Sequence, residues 1–112
     1  MVLTLLTWLA VQAVAEPDVD PVVFYWQAVH CAGSSLAELD ALGDAAGEDQ
    51  RLEMILPWGM AMAEYGSRAG RTAGQVDEVD VERPRAFFTA MRAHNRAAFD
   101  AQRAYCDALL GG

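Results

Sequence analysis

From Pro84 to Leu110 two stripes run side by side at helical spacing. Phe88, Met91, Phe99, Cys106 and Leu110 recur on one side, widened by Phe87, Ala98, Tyr105 and Leu109. Arg85, Thr89, Arg92, Arg96, Asp100, Arg103 and Asp107 recur on another, in steps of three and four. Apolar residues at that period form the buried face of an amphipathic helix, and a strand cannot present them together. Pro84 suits a first turn, where no N–H is required, and Gly111 suits the exit. The pattern predicts one continuous helix of about 40 Å at 1.5 Å per residue. Arg96 with Asp100, and Arg103 with Asp107, are spaced as i,i+4 ion pairs on its solvated side.

A helix of that kind needs partners, and the rest of the chain supplies them. Asp20 is placed to cap a helix with Pro21 at its first position. The following run, Val22 to Cys31, is apolar nearly all round, which marks the most buried segment. Gly33 and Ser34 are expected to break or bend it. Ser35 with Glu38 reads as a capping box opening a short second helix to Leu42, stopped at Gly43. A further helix, capped by Asp44 or Asp49, runs to about Tyr65. Pro57 must kink or divide it, and its stripe Leu52, Leu56, Gly59, Ala63, Gly66 invites close packing. Residues 66–81, with three glycines and an acidic run, read as a mobile loop longer than most connections. The expected architecture is all-α, a small bundle of three to four helices.

The first fifteen residues carry no charged side chain and end in Ala13-Val14-Ala15, directly before the acidic Glu16-Pro17-Asp18. This predicts a signal peptide, residues 1–15, and a single helical domain, residues 16–112, exported to the periplasm or secreted. No membrane-spanning segment is expected in the mature chain. Export bears on the two cysteines, Cys31 and Cys106, because an oxidising compartment favours their pairing. The bridge would close a loop of about 75 residues, for which chain entropy predicts roughly 4 kcal/mol.

Net charge is −8 and lysine is absent. Charge is unevenly placed: Glu16 to Glu82 holds three arginines against fourteen acids, and the chain from Arg83 onward holds five against two. The uneven split suggests that the basic helix packs against acidic neighbours. The acidic whole argues against nucleic acid as a partner.

No catalytic constellation emerges. The cysteines are not spaced as CxxC or CxxCH, and His30 beside Cys31 points about 100° away on a helix. Ser34 and Ser35 lack a nucleophile-elbow pattern, and the glycines of the loop match no phosphate-binding motif. His30 and His94 with Met54, Met60, Met62 and Met91 raise a copper-handling alternative. No cofactor is expected otherwise. Phe24-Tyr25-Trp26 cannot all face inward on one helix, so Tyr25 and Trp26, with Trp58, are the candidate interaction surface. The reading is a small exported binding or interaction protein of the cell envelope, its partner a protein or a small apolar ligand. Being exported, helical and single-disulfide, the chain resembles in broad outline the small periplasmic acid-stress chaperones. That resemblance implies client binding on an apolar surface released by stress, and the chain's own acidic section, whose carboxylates lose charge on protonation, offers a trigger.

Overall fold

A computed structural model describes residues 20–111, so the leader expected at residues 1–15 lies outside the described residues. Four α-helices form the fold: α1 Pro21–Leu42, α2 Glu48–Gly66, α3 Glu82–His94 and α4 Arg96–Leu109. There is no strand among the described residues. The all-α bundle and the Cys31–Cys106 disulfide are both present.

The central element is α1. Asp20 caps it as expected, accepting from the Val22 N–H at 2.9 Å, with Pro21 at the first position. It does not break at Gly33 but runs to Gly43, whose positive φ of 55° ends it. Gly33 has a tertiary role instead. A Cβ there would stand 2.7 Å from the Pro84 Cβ and 2.9 Å from the Arg85 backbone nitrogen. The glycine lets the first turn of α3 lie directly on α1. Ser35, expected as a cap, is buried mid-helix and accepts from Arg103 at 2.6 Å. Gly33→Ala should therefore destabilise the fold by about 1–3 kcal/mol despite alanine's better helix propensity. Urea unfolding of the two proteins checks this; equal midpoints would mean that the crossing has room to spare.

The long C-terminal helix is in fact two. At Asn95 the backbone leaves the helical region (φ −148°, ψ 76°). Its N–H closes α3 on the Met91 carbonyl at 2.7 Å, and its side chain opens α4 by accepting from Ala98 N–H at 3.1 Å. One residue serves both ends. The break lets Phe99 turn back onto Ala37 and Phe88, forming a second small core. The first core joins Tyr25, Val29 and Ala32 of α1 to Trp58 and Met62 of α2, next to the bridge.

The arginine stripe is not simply solvated. Arg85 forms a two-point ion pair with Asp40, and Arg92 with Glu38, both across to α1. Arg96 keeps its pair with Asp100 at 3.0 Å. Arg103, expected to pair with Asp107, bonds Ser35 on α1 instead.

One further expectation changes in α2: its N-cap is Gly47, not Asp44 or Asp49. Of the two outcomes expected at Pro57, division does not occur, and the helix is continuous through the proline. Its buried face is Trp58, Met62 and Gly66, while Leu52, Leu56 and Gly59 of the predicted stripe face open space. Only the foot of that stripe packs closely: a Cβ on Gly66 would meet Val76 at 2.6 Å.

Residues 66–81 are structured rather than an irregular loop. Gly70 takes a positive φ of 76°, and the Arg71 N–H returns to the Gly66 carbonyl. Thr72 and Gln75 then cap each other, Thr72 N–H to Oε1 at 2.8 Å and Gln75 N–H to Oγ1 at 3.2 Å. A single π-helical turn, Gln75–Val79, follows and leads into α3. No helix among the described residues is long and apolar enough to cross a membrane.

Candidate functional site

Of the three aromatic residues expected on an interaction surface, two are in the core. Tyr25 is 0% exposed and Trp58 4% exposed. Trp26 alone is half-buried, and it lies in an open apolar groove between α1 and α3. The helical period explains the split. Tyr25 and Trp26 differ by about 100°, so when one reaches the core the other reaches its rim.

The groove is built from helical repeats. Val22, Trp26 and His30 are spaced four apart on α1 and form one wall. Pro84, Phe87 and Met91 form the other, on α3. Two adjoining hollows of about 500 and 620 Å³ share Trp26, His30 and Phe87. Such volumes fall within the range of small-ligand sites. At one end α4 closes the groove, where Gln27 Nε2 donates to the Tyr105 hydroxyl at 3.2 Å. At the other end lie Val79, Asp80 and Arg83. Several wall residues stay open to solvent: Phe87 is 58% exposed and Val23 54%. Phe87 and Tyr105, expected to widen a buried stripe, line this groove instead. Adjacent Phe87 and Phe88 carry the same signal as Tyr25 and Trp26, since only Phe88 is buried.

A buried ion pair shapes the far end. Arg71 grips Asp80 at two points, 2.7 and 2.9 Å, and the Tyr25 hydroxyl donates to the same carboxylate at 2.6 Å. The Asp80 side chain is 3% exposed, that of Arg71 27%. Hydrogen bonding from Arg71 holds the Asp80 carboxyl below the usual range, although burial works against it. Burial, helped by the Asp80 carboxylate, pushes the Tyr25 hydroxyl up, so it stays protonated and donating. Arg71 also lies over the Trp26 ring at 5.4 Å. The clamp thus fixes the π-helical turn to α1 and one side of Trp26 with it.

His30 is oriented by its own helix. Its Nδ1 is 2.7 Å from the Trp26 carbonyl, which can only accept, so Nδ1 carries the proton. The ring sits edge-on to Phe88 at 6.3 Å between centroids.

No protein-family model, no characterised protein and no solved structure matches this chain. The groove's own chemistry therefore carries the functional reading.

A second, shallower apolar face lies on the far side of α2, where Leu52, Leu56 and Met60 are exposed beside Phe24, Pro57 and Tyr65. Met60 faces solvent there and Met62 is buried, so the two thioethers do not converge. Among the described residues, no three His, Cys, Asp or Glu side chains are grouped to hold a metal.

Proposed function

We propose that this is a small exported helical binding protein of the cell envelope that holds an apolar guest in the groove between α1 and α3. The observation that carries this reading is the half-open aromatic trough of Trp26 and Phe87, with its walls fixed from both ends. Exposed aromatic and aliphatic side chains in one concave strip cost free energy in water unless something covers them. The apolar leader ending in Ala13-Val14-Ala15 supports export, and a structural disulfide fits an oxidising compartment.

Nile red, an uncharged apolar dye, tests the site with the oxidised protein. Phe87→Asp should weaken dye binding about tenfold, the scale of losing one partly buried aromatic contact. Leu56→Asp, on the opposite apolar face, should leave it unchanged. The reverse pattern would move the site to α2, and no dye binding at all would remove the reading.

The exposed Leu52, Leu56 and Met60 favour one alternative, a chaperone that covers client proteins with apolar surface. Its acid trigger meets resistance from the fold, because Glu38, Asp40 and Asp80 are already paired with arginines. Suppression of client aggregation at low but not neutral pH would favour it.

A further inference from the structure

We infer that the guest of this groove is a single-chain amphiphile with an anionic head, its tail along Trp26 and Phe87 and its head at Arg83. The inference rests on the groove reading above and adds the chemistry of the guest.

The argument comes from the charges at the groove. Besides the imidazole of His30, its lining carries one carboxylate, Asp80, and one guanidinium, Arg83. Asp80 is consumed by Arg71 and Tyr25, so it offers a guest no net charge. Arg83 is exposed, lies at the mouth of the groove and has no ion-pair partner among the described residues. The neighbouring Glu82 lines a different hollow, with Asp40 and Arg85, and so faces away. One guanidinium without an ion-pair partner among the described residues thus sits beside a largely apolar trough, in a chain whose net charge is −8. Local positive charge against an acidic background selects the head group rather than the tail. A cationic head would be repelled there, and a neutral head would leave Arg83 unpaired. The trough is open along its length, which suits a flexible chain laid in from the side. Being exposed, Arg83 adds discrimination more than affinity.

Three amphiphiles with one 12-carbon tail separate the terms: dodecanoate, dodecyl maltoside and dodecyltrimethylammonium, each below its micellar concentration. Titration calorimetry on the oxidised protein should show dodecanoate binding about threefold to fivefold tighter than the maltoside, the scale of one exposed ion pair. The ammonium should bind weakest. In Arg83→Gln the dodecanoate preference over the maltoside should vanish, the ratio of the two affinities falling to about one. A preference that survives Arg83→Gln overturns the assignment. Equal binding of all three heads, or tightest binding of the ammonium, overturns the anionic guest but leaves the groove standing if Phe87→Asp weakens all three. If Nile red binds and no amphiphile does, the guest class is wrong and the apolar site remains. If neither binds, both readings fall.

Discussion

Removing the disulfide, as Cys31→Ala with Cys106→Ala, should lower the unfolding free energy by about 4 kcal/mol. The cysteines are 75 residues apart, so the bridge confines most of the described chain in one loop. The structure adds a second reason. Beyond the bridge, the ties of α4 to α1 and α3 include Phe99, the Arg103–Ser35 and Gln27–Tyr105 bonds and the Arg96–Glu38 ion pair. Both sulfurs are fully buried, so reduction has to wait for the protein to open. Domains of this size commonly have 5–15 kcal/mol in total, roughly, so the loss would be a large share. Urea unfolding of the oxidised protein and the double variant measures it. Coincident midpoints would show that helix packing alone sets stability, with the bridge merely recording proximity.

The second large effect belongs to Asp80. Asp80→Asn keeps an acceptor for the Tyr25 hydroxyl but loses the charge that Arg71 grips at two points. A loss of about 2 kcal/mol at neutral pH is expected, the scale of buried hydrogen bonds to a charged partner. The pH dependence has a definite sign. The folded carboxyl titrates lower than the unfolded one, so its stabilisation is present above the ordinary carboxylate range. It is lost progressively as pH falls from that range through the lower folded value. Wild type should therefore keep its advantage over Asp80→Asn through mild acid and lose it well below pH 4, about the ordinary Asp value. Arg71→Met gives the complementary case. There the carboxylate is left buried without its cation, so the variant should approach wild type as pH falls and Asp80 takes up a proton. A pH-independent gap for both variants would mean that the ion pair adds nothing beyond shape.

Much of the fold was legible in the sequence because it rests on local rules. The Asp20–Pro21 start, the Gly43 stop, the helical class and the pairing of Cys31 with Cys106 each follow from residues close together or from chemistry alone. What was hidden depends on tertiary neighbours. Gly33 reads as a breaker, and its use as a seat for Pro84 needs α3 in place. Asn95 carries a capping signal, but an unbroken amphipathic pattern on both sides outweighs it until Phe99 is seen to fold back. Thr72 and Gln75 form a capping box that was available in the sequence and obscured by surrounding glycines. At the groove, consecutive aromatics on α1 announced that at least one must face outward, and the same logic at Phe87 and Phe88 was hidden by the width of the apolar stripe. They did not say which: Tyr25 was expected on the surface and Phe87 in the core, and the structure reverses both. Asp80, in a run of acids that looked solvated, gives no sign of its burial until Arg71 and Tyr25 are brought to it.

Every other α-helix packs on α1, whereas the backbone of α2 runs close to neither α3 nor α4. Along Cys31-Ala32-Gly33-Ser34-Ser35 the central helix is buried without interruption, and no residue there is larger than the bridged cysteine. That geometry has an evolutionary consequence. Substitutions in this short run must satisfy several neighbours at once, while the outer faces of α2 and α4 are free to drift. Distant relatives should be recognisable less by overall identity than by a cysteine leading a run of small residues, a second cysteine near the end, and a proline where the third helix crosses the first.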